Sequence, residues 1–283
     1  MVFRFSLWLS LFLMLFSGGS GAENAPPQRI VSMNLCVDQL LILLAEPQQI
    51  AALTQLAHDP DASYYYQKAL AYPTNKGLAE EVLPFKPDLV IAGEYAHVAT
   101  VQLLKKLGIP VETLPIPNSL NEVFNNIRRI GELVGQPERA TTIIQQMQQR
   151  LAQASAPVSN APLVVVYEAN GYTVGDASLR GEILHQAGWQ NAATQLGINS
   201  YGQIALEDLI RLKPLALIDS PYRAGTYSRA QALLAHRALK SSAFSPHIIQ
   251  IPSKLTICEG PWLIDVIEQL QAERLKLTVG TTP

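Results

Sequence analysis

LAEEVLPFKPDLVI, residues 78–91, returns as ALEDLIRLKPLALI at residues 205–218. In this register Glu80 stands over Glu207, Glu81 over Asp208, Lys86 over Lys213, Pro87 over Pro214 and Ile91 over Ile218. Each copy reads as a short helix with an acidic first turn. Lys-Pro ends it, because proline lacks the N–H that would continue the helix and clashes with the preceding turn. The aliphatic run that follows suits a parallel strand buried on both faces. A Lys-Pro pair recurs by chance, but here the acidic pair and the aliphatic positions agree in the same register. The chain therefore reads as a duplication of one α/β lobe.

Outward from these copies, strand and helix patterns alternate. In the first half, strands are expected at 29–34, 49–54, 89–93 and 111–116, with helices at Val37–Ala45 and Thr100–Leu107. The second half repeats the pattern, with strands at 162–169, 215–219 and 247–252 and helices at Leu179–Ala187, Ala230–Ala235 and about Leu263–Leu277. Such alternation specifies an α/β fold with parallel sheets covered on both faces and ligand sites outside the carboxyl ends of the strands. Trp189, in the turn AGWQNAA (187–193), reads as a core residue.

Between the copies lies SLNEVFNNIRRIGELVGQPERATTIIQQMQQRLAQASA, 119–156. Ser119 and Glu122 suggest a capping box, and Val123, Ile127, Ile130 and Leu133 recur at helical spacing. Gly135 and Pro137 end that helix and start another, free of interior Gly or Pro, which makes a stiff connection rather than a hinge. The expected organisation is a leader over 1–22, a first lobe over 23–135, a linker helix over 136–157 and a second lobe over 158–283. Two sheets so joined would face each other across a cleft.

Arg4, the apolar run Leu7–Phe16 and the small residues Ser20-Gly21-Ala22 read as a cleaved secretory signal peptide. The run is too short for a bilayer span of roughly 20 residues. No Cys follows the cleavage site, which argues against a lipid anchor. The sequence carries 21 Lys and Arg against 23 Asp and Glu, a formal net charge of −2. Loss of the leader removes one base, so nucleic acid is not an expected partner.

Taken together, the leader, RIVSMNLCVDQLLILLAEPQQIAALT (29–54), GLAEEVLPFKPDLVIAG (77–93), the helical linker, AGWQNAA and the second Lys-Pro segment resemble the periplasmic binding proteins of iron-chelate and vitamin B12 importers. The resemblance covers essentially the whole chain after the leader. It implies two Rossmann-like lobes joined by one long α-helix, a ligand cleft between them, and a monomeric periplasmic carrier. Such a carrier hands a bulky metal chelate, a corrinoid or ferric siderophore, to the permease dimer of an inner-membrane ABC transporter, and has no resident cofactor. It also implies that Glu80 and Glu207, one acidic knob per lobe, dock to arginines of the two permease subunits. Two equivalent charges suit a symmetric dimer. Acids in a first helical turn are equally common as complements to the helix dipole.

Residues beyond strand ends face such a cleft. The ligand-contact candidates are Tyr64 and Tyr65 (with Tyr66), Tyr95, His97, Tyr172, Tyr222, Arg223 and Trp262. Aromatic rings with polar tips suit a large, partly apolar chelate. Arg223 is the base suited to an anionic chelate, but few others accompany it, which leans towards a nearly neutral ligand. The same family handles haem, whose metal His97 or a tyrosine would cap.

Cys36 and Cys258 are the only cysteines. In an oxidising compartment a disulfide is the default, and the family fold would set them on opposing lobes near the cleft. The rival is a pair of free thiols at the mouth of the site. Two further readings stay open. One is a bare zinc or manganese site from His58, His97, Glu168 and Asp219, against which stands the lack of tightly spaced His pairs. The other is a thiol enzyme using Cys36, against which stands the absence of CxxC, GxSxG, HExxH and GxGxxG motifs.

Overall fold

The computed structural model describes residues 25–154, 158–223, 234–241 and 244–279 of the 283. The leader lies outside them, as do 230–233 of the helix expected at Ala230–Ala235; Leu234 and Ala235 sit in a turn.

The first half of the chain runs β1 (Ile30–Ser32), α1 (Leu35–Leu44), β2 (Ile50–Thr54), α2 (Tyr66–Ala69), β3 (Thr74–Asn75), α3 (Ala79–Val82), β4 (Leu89–Gly93), α4 (Val98–Lys106) and β5 (Val111–Leu114). Its strands form a parallel sheet in the order β3-β2-β1-β4-β5. Helices α5 (Leu120–Leu133) and α6 (Pro137–Ala154) follow. The second half holds β6 (Leu163–Val166), β7 (Tyr172–Val174), α7 (Leu179–Gln186), β8 (Gln190–Asn191), β9 (Tyr201–Gln203), α8 (Leu206–Leu212), β10 (Ala216–Asp219), β11 (His247–Gln250) and α9 (Leu263–Val279). Its main sheet is also parallel, in the order β11-β10-β6-β8.

The repeated sequence is a repeated backbone. Helices α3 and α8 each carry two acids in the first turn, and the lysine before each proline is left-handed: Lys86 at φ 49°, ψ 56° and Lys213 at φ 48°, ψ 53°. A residue before proline is disfavoured in the right-handed helical region, so the chain leaves the helix there and drops a buried proline and a buried strand into the sheet. In the first copy the Arg29 guanidinium donates to the Phe85 and Lys86 carbonyls that this turn exposes.

One expectation of the sheets is corrected: β7 and β9 form a separate antiparallel pair. The chain turns back just after β6 through Gly171, at φ +73°. A Cβ there would lie 2.6 Å from the Ile204 carbonyl oxygen, so only glycine lets the two segments approach. Two helices, α5 and α6, stand where the sequence predicts the linker. Ser119 Oγ caps α5 by accepting from Glu122 N at 3.2 Å, although the Glu122 carboxylate reaches back to Asn118 N, at 2.7 Å, rather than to Ser119. Helix α6 lies within the stretch 136–157 read as a linker helix, and Arg150 on it pairs with Asp265 and Glu268 of α9, each at 2.7 Å.

The largest apolar cluster runs continuously from α1 and β1 through α5 and α6 into β6, α7, β10 and α9. Trp189 is fully buried in it, and its indole N–H donates to the Leu270 carbonyl at 2.9 Å. A buried carboxylate, Asp38 on α1, ties that helix to the end of β2 by accepting from Thr54 N and Oγ1. Burial outweighs these hydrogen bonds and pushes its pKa up to about 6.

Candidate functional site

Strand order in an open parallel sheet reverses at one point, and the crevice outside the carboxyl ends of the strands there is the usual ligand position. In the first sheet that point lies between β1 and β4. Asn34, just beyond β1, caps α1 by accepting from Cys36 N at 2.9 Å and Val37 N at 3.1 Å. It leaves no room for a side chain at the end of β4, where a Cβ on Gly93 would stand 2.4 Å from Asn34 Nδ2. Beyond these two turns opens a cavity of about 250 Å³. Met33, Asn34, Cys36, Glu94 and Tyr95 line it at the strand ends, Ile116 and Pro117 beyond β5, and Ile257 and Glu259 from the distal part of the chain.

The second sheet reverses between β6 and β10. Val166, Ile218, Leu179 and Ile183 wall a second cavity, of about 160 Å³, with Arg180 and Tyr201 at its polar side. Ile116, Pro117 and Glu259 line both cavities, so the two meet as one cleft across the switch points of both sheets.

The polar groups of this cleft differ in how far the protein satisfies them. Arg180 is committed: it pairs with Glu168 at 2.6 Å and donates to Ser220 Oγ at 2.8 Å. Glu94 accepts weakly from Ile116 N at 3.3 Å. Glu259 has no ion-pair partner among the described residues. Burial pushes its carboxyl up to about 7, opposed only by its own backbone N–H. Tyr172 and Tyr201 stack with ring centres 6.3 Å apart, and Tyr95 stands almost fully in solvent at 84% exposure. Asp219 is buried at the end of β10 and its pKa is raised, first by desolvation and then by the Glu168 charge.

Five of the aromatic and basic candidates make contacts that join the two halves of the chain. Tyr222 donates to Asp59 at 2.6 Å, and Arg223 pairs with Asp61 at 3.2 Å. Ser253 Oγ donates to the Asp61 carbonyl at 2.6 Å. Tyr64 stacks on Trp262 with ring centres 4.9 Å apart, and Tyr65 meets the same indole edge-on at 5.8 Å. Trp262 itself is only 1% exposed and donates to the Cys258 carbonyl at 2.9 Å, so it lies in the core rather than on the rim. The physical reason is general: a residue beyond a strand end faces either the void or the opposite lobe, and here residues 59–66 meet 220–223 and 253–262. The Tyr222 hydrogen bond is the first cause that holds Asp59 below the usual carboxylate range, while burial raises Tyr65 to about 12.

Cys36 and Cys258 form a disulfide, with Cα atoms 5.0 Å apart, between the two cavities and this clasp. No free thiol remains for an enzymatic role at Cys36. Tyr95 and Tyr201 stand at the cleft, whereas His97, exposed at the start of α4, lines neither cavity. Glu80 and Glu207 are exposed on α3 and α8. Among the described residues no group of three or more His, Cys, Asp and Glu side chains could hold a metal ion. His58 is turned to the Ala69 carbonyl at 2.9 Å and Glu168 to Arg180. The sequence reading did not name Glu259, Glu94, Arg180 or Tyr201, although Glu94 directly follows the end of β4 and Glu259 stands beside Cys258.

Comparison with known proteins adds to this geometry. The sequence profile of a family described as "Periplasmic binding protein" matches residues 30–252. A cobalamin-binding protein of Halobacterium salinarum is 26% identical over 218 residues, 75% of this chain; the chain spans 59% of that relative's length. An uncharacterised ABC-transporter substrate-binding lipoprotein of Bacillus subtilis is 24% identical over 262 residues, covering 86% of this chain and 79% of that protein. Among solved structures, a periplasmic heme-binding protein from Pseudomonas aeruginosa aligns with a TM-score of 0.65 at 26% identity, over 87% of this chain and 92% of that one.

Proposed function

The chain belongs to the periplasmic binding protein family, and on that premise we propose that it is the ligand-capturing component of an ABC importer, exported by its leader, which binds a bulky metal chelate and delivers it to a membrane permease. The observation that carries this reading is the cleft: two cavities, at the switch points of two duplicated sheets, that share Ile116, Pro117 and Glu259. A chelate larger than either cavity would fill both and stand out between Tyr95 and Tyr201, using their rings as contact area. The cobalamin and heme bound by the relatives are both of this size class. The disulfide, the Asp59–Tyr222 and Asp61–Arg223 contacts and helix α6 support a cleft whose width changes little on binding.

Delivery rests on the duplicated acids. Glu80 and Glu207 are exposed and occupy the same place in two copies of one backbone unit. One acidic knob on each lobe suits arginines related by the symmetry of a permease dimer, steering encounter and setting register. The protein acts as a monomer, and its role is stoichiometric binding, not turnover.

The test is a thermal-shift panel on the mature protein with cyanocobalamin, haemin and ferric siderophores, with metal-free chelators and zinc as controls. A ligand that binds only the folded state raises stability by RT ln(1 + [L]/Kd), about 2.7 kcal/mol at a hundredfold excess over Kd. A shift of several degrees with one chelate is expected; no shift with any chelate but one with zinc would overturn the reading.

A further inference from the structure

The charges around the cleft point to the kind of chelate it takes. The titratable side chains that line the two cavities are Glu94, Tyr95 and Glu259 on one side and Arg180, Tyr201 and Glu259 on the other. Arg180 is the one cation among these lining residues, and it is held by Glu168 and Ser220. The carboxylates therefore outnumber the base, and Glu259 is common to both cavities. It follows Cys258, which the disulfide anchors to α1, so its backbone is fixed where the cavities meet.

Resting on the carrier reading above, we propose that Glu259 is the specificity-determining residue of the cleft, selecting chelates with N–H donors or positive charge at their edge over polyanionic ones. Its side chain is half-buried where the two cavities meet and has no ion-pair partner among the described residues, so a ligand donor or cation seated there meets an unpaired carboxylate. A neutral macrocycle carrying carboxamides satisfies it. Carboxylate or catecholate edges add like charge beside Glu94 and Glu259, which disfavours both charged forms. Haem propionates would thus meet repulsion here, and a corrinoid would not.

A titration signature follows from the same geometry. None of Glu94, Tyr95, Arg180 or Tyr201 contributes to the raised pKa of Glu259, which desolvation sets near 7. A donor-bearing ligand stabilises the ionised form, so its affinity rises with pH through that range. Between pH 6 and 8 the ionised fraction grows from about one tenth to about nine tenths, and affinity by roughly tenfold.

The experiment is calorimetric titration of the disulfide-intact protein with cyanocobalamin, haemin and a ferric tris-catecholate at pH 6, 7 and 8, for the wild type and Glu259→Gln. Wild type is expected to prefer cyanocobalamin, binding it about tenfold more tightly at pH 8 than at pH 6. Glu259→Gln is expected to lose that dependence and to gain about tenfold for haemin. The wild-type profile needs no variant, so it tests the inference even if the substitution impairs folding. Preference for an anionic chelate, or a variant with the wild-type ranking and pH profile, overturns the role of Glu259 while leaving the carrier reading intact. Binding of none of the three removes both.

Discussion

Replacing both Cys36 and Cys258 by alanine should cost the protein a large part of its stability, although every other contact of the fold remains available. The bond joins residues 222 positions apart, so its removal frees a closed loop that spans most of the chain. In the loop-entropy model, 2.1 + 1.5R ln n with n near 220 comes to about 18 cal/mol/K, or about 5 kcal/mol at 25 °C. The effect acts on the unfolded chain. For a protein of this size each kcal/mol moves Tm by roughly 2–4 °C, so calorimetry of the oxidised wild type and the double variant should show a fall of about 10–20 °C. The folded variant should keep the Tyr64–Trp262 stack and the Asp59–Tyr222 bond, and with them the same near-ultraviolet dichroism. A free-thiol assay on the unreduced wild type should find no reactive thiol. A loss of less than 2 °C, with thiol counts confirming the bond in the wild type, would refute the argument, because it would mean that the two halves unfold without ever opening the long loop.

Acid should stabilise the protein between pH 8 and pH 5. Asp38 and Glu259 bind protons more tightly folded than unfolded, at about 6 against 3.8 and about 7 against 4.5. Their contribution is full below the unfolded values and lost as pH rises through the folded ones. Each is worth at most about 3 kcal/mol, with Glu259 discounted for its residual contact with water. Denaturant titrations across this range should show the slope, and Asp38→Asn should flatten it; stability that rises with pH would contradict both assignments. Trp262→Ala should cost roughly 3–5 kcal/mol, far more than loss of a rim residue, since the indole is fully buried and stacked on Tyr64; an unchanged denaturation midpoint would place it outside the core. Glu80→Arg with Glu207→Arg should abolish uptake in cells while leaving chelate affinity unchanged, and wild-type uptake by the double variant would end the docking proposal.

The sequence made the fold legible where a local rule had one solution. Lys86-Pro87 and Lys213-Pro214 could only end helices and feed buried strands, and both do so through the same left-handed lysine. Gly135 and Pro137 could only separate two helices. The antiparallel pair of β7 and β9 was not legible, because it depends on how closely Gly171 passes Ile204, a contact between segments more than 30 residues apart.

The site was legible as a place and not as a set of side chains, and the difference has a physical origin. Strand direction decides which loops gather at the cleft, and that follows from the alternation of elements. Whether a given side chain in those loops meets ligand or the other lobe depends on how the lobes are set, which no local pattern encodes. Aromatic rings are valuable in either role: Tyr64, Tyr65 and Tyr222 make contacts between the lobes, and Trp262 is buried in the core. A carboxylate gives the opposite signal. When Tyr222 and Arg223 answer Asp59 and Asp61, those acids become structural. Glu259, half-buried where the two cavities meet, has no ion-pair partner among the described residues, so its charge is open to a ligand. Unanswered polarity at a cavity wall is therefore the better guide to the ligand than aromatic content, and in this cleft it singles out Glu259.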